Sequence, residues 1–259
     1  MAPSSKFILV VSGLGNGTGT GAAVARLFSR QLGYRIALIS RPRKDVDDLR
    51  DEIKKAGGTV EVFGVESYDY KSMGQVFERV QQTWPDGRLK CAVWNTAQWS
   101  NIPFMDITEH DITLSATTNI VAATAFSQAA VRAFTAPGSE EHKGGSLIMT
   151  GATSAWRGSR AFGAFAAGKH GLRALSQSIA REYGPEGVHV AFVVVDGIIL
   201  TTRTEKNFGN RPGKEPNWMR DEKQRLSPES IAKCYLYLHE QGPDAWTLEM
   251  DLRPAKEHF

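Results

Sequence analysis

FILVVSGLGNGTG, residues 7–19, is an apolar run that breaks into a cluster of glycines. The run from Phe7 to Gly13 reads as a strand buried on both faces, of the kind found in parallel sheets. Glycines in the turn permit positive φ and let backbone come close to a ligand. The pattern that follows, Ala22 to Leu32, is an amphipathic helix whose N-terminus offers free N–H groups and partial positive charge to the turn. Strand, Gly-rich turn, helix and a second strand together make a dinucleotide site, with Gly13, Gly15, Asn16, Gly17, Thr18 and Gly19 as candidate contacts. A plain tight strand-to-helix turn is the alternative.

Outward from this turn, apolar strands alternate with helical patterns, which calls for an α/β fold with a parallel sheet covered on both faces. Further strands are expected at 35–40, 59–65, 89–95, 144–151, 188–196 and 247–252. Helices are expected at 45–56, 72–84, 111–133 and 163–183, the first of these closed by Gly57-Gly58 and the last capped by Gly184-Pro185. Gly33 ends the helix after the first strand. Ser227 is a good N-cap for another helix, with Pro228 at its first position. The polar segment from Thr201 to Arg225, with Gly209, Pro212, Gly213 and Pro216, reads as a mobile loop or substrate lid. No repeat or linker divides the chain, so a single domain, 1–259, is expected.

Bulk properties narrow the function classes. At 259 residues and 41% hydrophobic content the chain can build one large core. A net charge of +3 is too slight to suggest a nucleic-acid footprint. Cys91 and Cys234 show no metal-ligand pattern and read as buried free thiols, and no metal is expected. The start, MAPSSK, lacks a secretory apolar region, no run approaches bilayer length, and the ending EHF is not a peroxisomal signal. These features point to a cytoplasmic protein with a small-molecule substrate and no nucleic-acid or membrane partner.

Gly13, Gly17 and Gly19 match the Gly-x-x-x-Gly-x-Gly spacing of the short-chain dehydrogenases/reductases, with Ser12 where threonine is usual. The chain resembles that family in order and spacing over roughly residues 7–252. Asn95-Thr96-Ala97-Gln98 stands where the family has Asn-Asn-Ala-Gly, with Thr96 and Gln98 departing. Asn119 falls where the family places its active-site asparagine. Asp196-Gly197 with Thr201 stands where the family has Pro-Gly-x-x-x-Thr. The resemblance implies a Rossmann-like, doubly wound sheet of about seven strands and commonly a homodimer or homotetramer. It also implies an NAD(P) site at the carboxyl ends of the strands, with Asn95, Lys169 and Ile198 among the cofactor contacts.

The end of the second strand bears on cofactor choice. NAD-preferring members carry an acidic residue there, whereas this chain has Ser40-Arg41-Pro42-Arg43-Lys44. A guanidinium can clamp a 2′-phosphate and stack on adenine, so NADP(H) is expected over NAD(H), with Arg41 the main contact and Arg43 secondary. An ordinary solvated basic loop is the alternative. Glu66 stands after the third strand, where the family points an aspartate at the adenine amino group; an exposed loop carboxylate would fit as well.

The stretch MTGATSAWRGSRAFGAFAAGKHGLRALSQSIA, residues 149–180, has the layout of the family's active site. In the family a serine and a tyrosine, the latter four residues before the lysine, hold the carbonyl oxygen and protonate it. Here Ala152 and Phe165 occupy those positions, while Asn119 and Lys169 remain. Phenylalanine has no titratable atom, so the resemblance implies a site without its usual general acid. Ser154 and Thr153 offer hydroxyls nearby but are poor acids, and both would also serve to satisfy loop backbone. His170 points about 100° away from Lys169 and is expected to face outward. Asp196 stands beside the cofactor by analogy, or merely caps the next turn. Trp94, Trp99, Trp156 and Phe162 make the expected cleft aromatic, if they are not core.

Two readings follow. The chain is an oxidoreductase acting on an acceptor that needs no tyrosine, such as an iminium ion or an activated alkene. Alternatively it is a non-redox protein, a pseudoenzyme, NADP(H) sensor or cyclase/isomerase, that uses the same cleft.

Overall fold

The computed structural model describes residues 6–137, 143–210, 213, 215 and 217–257. Pro212 and Pro216 of the expected lid, the initial MAPSS and the final His258-Phe259 lie outside the described residues. The strands are β1 (Phe7–Ser12), β2 (Arg35–Ser40), β3 (Val60–Gly64), β4 (Arg88–Trp94), β5 (Gly145–Thr150), β6 (Val188–Val195) and β7 (Glu249–Leu252). They form one seven-stranded sheet in the order β3-β2-β1-β4-β5-β6-β7, and every pairing is parallel.

Alternate side chains of each strand feed two cores. Leu9 and Val11 of β1 join Val193 and Val195 of β6 on one face, packed under α1 (Thr20–Leu32), α2 (Lys44–Lys55) and α8 (Pro228–Glu240). Ile8 and Val10 join Val194 and Phe192 on the other, packed under α3 (Tyr70–Thr83), α5 (Ala123–Phe134) and α6 (Gly163–Tyr183). Burial on both faces explains why β6 reads as an unbroken apolar run, all eight of its residues being buried. The chain winds away from β1 in both directions, so the crevice beyond the carboxyl ends of β1 and β4 is the natural ligand site. Among the described residues no helix is long and apolar enough to cross a membrane.

Local signals place most element ends. Gly33 stops α1 in the left-handed conformation, φ 63°, and Ser227 caps α8 by accepting from the Ser230 N–H at 3.0 Å. Gly184 caps α6 as expected, in a right-handed rather than left-handed conformation, and Gly187 follows with φ 89°. The expected helix at 111–133 is a longer column in which α4 (Glu109–Ala116) and α5 are joined by a π-helical turn, Thr117–Ala122. Cys91 is buried as expected, but Cys234 is only half-buried because it lies on a side of α8 turned partly to solvent.

The described parts of the segment after β6 hold more regular structure than its polarity suggests. It contains α7 (Thr202–Phe208), capped reciprocally by Thr201 and Thr204, and a 3-10 turn at Trp218–Arg220. Trp218 and Met219 are buried, and Trp218 Nε1 donates to the Phe208 carbonyl at 3.0 Å. Two isolated apolar residues in a polar stretch leave no periodic trace, which is why the sequence reads there as loop.

Candidate active site

The Gly-rich turn adopts the conformations its composition allows. Gly13, Gly15, Asn16 and Gly17 all have positive φ, 75°, 55°, 58° and 69°. At Gly13 the requirement is also steric, since an added Cβ would stand 2.4 Å from the carbonyl carbon of Asn95. That contact fixes the turn to the end of β4, and the Asn95 amide donates to the Gly13 carbonyl. Gly19 caps α1 without any side-chain hydrogen bond, so the first N–H groups of the helix remain available to a ligand. Thr18 Oγ1 lies 3.4 Å from Thr202 Oγ1, which ties the turn to α7.

Of the two arginines after β2, Arg43 is committed and Arg41 is not. Arg43 Nη2 donates to Asn16 Oδ1 at 2.7 Å and to Asp45 Oδ2 at 2.6 Å, bracing the Gly-rich turn. Arg41 is exposed and its guanidinium has no protein partner among the described residues. Glu66 is exposed just past β3. Ile198 is half-buried, with its carbonyl accepting from the Leu226 N–H at 2.9 Å.

Asn119 sits in the π-helical turn, fully buried. Such turns displace side chains from the regular helical register and recur at functional sites. Its amide donates to Ser115 Oγ at 3.2 Å, Ser115 donates to the Ala164 carbonyl at 2.7 Å, and the Asn119 Oδ1 atom is buried without a protein partner. A Cβ on Gly168 would come within 2.8 Å of Asn119 Nδ2 and Ser115 Oγ, so glycine there lets α6 close on this pair.

Lys169, one residue on, is buried, and its Nζ donates to the Thr150 carbonyl at 2.8 Å. Burial pulls its ammonium down to about 7. Phe165, one turn earlier on α6, is also buried, with its ring centroid 5.9 Å from Lys169 Nζ. Ala152 leads into a 3-10 turn, Thr153–Ala155, and Ser154 is buried within it. His170 is exposed, its Nδ1 2.9 Å from the Ala166 carbonyl, in the outward position expected of it.

Asp196 does not cap the following turn. Its buried carboxylate accepts from Thr153 Oγ1 and pairs with Arg253 at 3.4 Å. Arg253, just past β7, also pairs with Asp251 and lies 5.9 Å from the Trp156 ring. The exit of β7 is thus tied through Asp196 to the turn after β5. Thr150 is likewise held, its Oγ1 2.6 Å from the buried Tyr235 hydroxyl. Arg253, Ser115 and Tyr235 carried no sequence signal because their partners lie on distant elements.

The aromatic residues divide. Trp94 is core, packed against Tyr68 and Phe126, because it lies within β4 and points into the helix-covered face. Trp99, Phe162 and Phe165 form a chain of rings, 5.9 Å and 6.4 Å between centroids. Trp156 is partly exposed beside Arg253.

A family model described as enoyl-(acyl carrier protein) reductase matches residues 13–248. An uncharacterised short-chain type dehydrogenase/reductase from Sinorhizobium fredii (strain NBRC 101917 / NGR234) is 26% identical over 205 residues, 75% of each chain. Among solved structures, a short-chain dehydrogenase from Rhodopseudomonas palustris is 25% identical with a TM-score of 0.76, covering 96% of this chain and 99% of that one. A short-chain dehydrogenase from Burkholderia cenocepacia J2315, in complex with NADP, is 21% identical with a TM-score of 0.78, covering 96% and 97%. At that identity the second likeness speaks to fold alone.

Proposed function

Because the chain belongs to the short-chain dehydrogenase/reductase superfamily, within the branch described by the enoyl-(acyl carrier protein) reductase model, we propose that it is an NADP(H)-dependent oxidoreductase without the usual protein acid. Its acceptor is an iminium ion or an activated alkene rather than a simple carbonyl.

The cradle suits the cofactor. Gly13, Gly15, Asn16, Gly17, Thr18 and Gly19 leave backbone open where a pyrophosphate approaches, and the α1 N-terminus supplies donors. Among the described residues the Arg41 side chain has no hydrogen-bond or ion-pair partner to give up, and it would take the 2′-phosphate, while Arg43 keeps the turn in shape. Asn95 holds the turn against β4, while Ile198 and Glu66 follow the ends of β6 and β3, where contacts to the cofactor are expected. Lys169 spends one N–H on Thr150, so two others remain for ribose hydroxyls. NADP(H), when bound, supplies or accepts the hydride.

The observation that carries the reading is the side chain beside Lys169. Phe165 and Ala152 stand where the family has its tyrosine and serine, and neither holds or moves a proton. The Asp196 carboxylate is already engaged, by the Thr153 hydroxyl and by Arg253, so the reading does not assign it the tyrosine's role. Thr153 has committed its proton to Asp196, leaving Ser154 as a hydroxyl too weak an acid for the role. An iminium carbon takes hydride without any proton donor; an alkene draws its proton from water.

The same lack of a donor favours a second reading, a non-redox protein that binds NADP(H) as a structural or sensing ligand. Stoichiometry separates the two, since only the first consumes NADPH mole for mole with product. The cofactor assignment has its own test. By calorimetry NADPH should bind at least about tenfold tighter than NADH, about 1.4 kcal/mol. Arg41→Asp should abolish or reverse that preference. Equal affinities in the parent would overturn it.

A further inference from the structure

Phe104 and Met105 are 80% and 88% exposed, side by side in a 3-10 turn, an unusual placement for large apolar side chains. They are not isolated. An added Cβ on Gly163, the first residue of α6, would meet Ile107 Cδ1 at 3.3 Å and Phe104 Cδ2 at 3.9 Å. Beside them the ring chain begins at Trp99, 51% exposed, passes through Phe162 and ends at Phe165, 6% exposed, next to Lys169. Phe104 and Ile107 reach Gly163, the residue after Phe162, so a strip of apolar side chains leads from solvent inward to Phe165 beside Lys169.

The strip is held in place before any ligand arrives. Ala161 takes a left-handed conformation, φ 65°, unfavourable for a residue with a Cβ, and its carbonyl accepts from the Ile102 N–H at 2.7 Å. Strain of this kind persists only where the surroundings over-determine it. Here it latches the segment after β4 to the one before α6, which fixes Trp99 against Phe162.

We propose that this strip is a substrate subsite for the apolar, polycyclic body of an uncharged or cationic molecule whose reacting end lies beside Phe165 and Lys169. The proposal rests on the reading of the cleft given above. Continuity with the buried end argues for a substrate: a protein or lipid partner would use Phe104 and Met105 but has no need of rings leading inward. Edge-on aromatic walls suit ring systems. Asp106 and Glu109 lie next to Phe104 and Met105 in the chain, and Arg160 precedes Ala161, so the outer end carries both signs of charge and is no simple basic patch for an anionic membrane surface.

The test uses the full chain with saturating NADP+ and two cationic probes, N-methylacridinium with three fused rings and N-methylpyridinium with one. Acridinium should bind at least about tenfold tighter than pyridinium, from the extra apolar area covered. Phe104→Ala combined with Met105→Ala should weaken acridinium about tenfold, while leaving pyridinium and NADP+ affinity unchanged. Both side chains are exposed, so the variant keeps its core; unchanged thermal melting checks this. Unchanged acridinium affinity in the variant, or equal affinity of the parent for both probes, overturns the proposal. Vesicle binding or self-association lost in the same variant would then identify what covers the patch. Acridinium is also titrated without NADP+, so that failure of the cofactor to bind would count against the cleft reading alone.

Discussion

Lys169 carries a conflict between folding and binding. Its ammonium is buried against one carbonyl, and its acidity is shifted from an ordinary 10.5 to about 7. The unfolded chain holds that proton between these values and the folded chain does not, so this group makes stability rise as pH increases from about 7 to 10.5. Below pH 7 the charged form is buried and opposes folding in full. Lys169→Met should therefore stabilise the cofactor-free protein at pH 6 by roughly 1–3 kcal/mol, read by urea melts, while NADPH affinity falls at least about tenfold. Unaltered NADPH binding would remove Lys169 from the cofactor site. The spacing among Lys169, Phe165 and Ala152 was legible in the sequence because a helix and a strand end hold it locally. The Asp196–Arg253 pair was not, because only the β6–β7 register brings Arg253 back to that strand end.

The Gly-rich turn and α7 behave as one unit through Thr18 and Thr202. A cofactor settling on the turn would remove freedom from α7 as well, and we propose that a cleft ligand adds to this. Amide exchange across α7 should slow when NADP+ and a cleft ligand are both bound, whereas exchange around Trp218 should change little because its ring is already anchored. Exchange in α7 unaffected by both ligands would count against a lid. Strand positions, glycine stops and the Ser227-Pro228 start were readable from the chain because each is decided within a few residues. The π-helical turn at Asn119, helix α7 and the core position of Trp94 depend on packing between elements and left no local mark.

Across the whole molecule, both cores are overwhelmingly apolar, with few titratable groups among the described buried residues. His239, at the end of α8, sits 2.9 Å from the Tyr34 hydroxyl and 3.0 Å from Ser146 Oγ, and burial, with Lys90 and His189 nearby, pulls it down to about 4. Its folded value is depressed, so stability is full above 6.5 and is lost as pH falls toward about 4. His239→Gln should flatten that loss by on the order of 2 kcal/mol in denaturant melts at pH 4.5. An unchanged acid limb would show that other groups dominate it.

Hydride transfer without a protein acid is the central step of the proposed reaction. The direct measurement is steady-state NADPH oxidation by the parent with a matched pair, a polycyclic ketone and the N-methyl iminium ion of the same skeleton. General acid catalysis contributes about 10²–10⁴-fold where it operates. The iminium should be reduced, and the ketone should lag by about 10²-fold or more, a gap that Phe165→Tyr with Ala152→Ser narrows. Efficient reduction of the ketone by the parent, undiminished by Asp196→Asn or Ser154→Ala, would contradict the account.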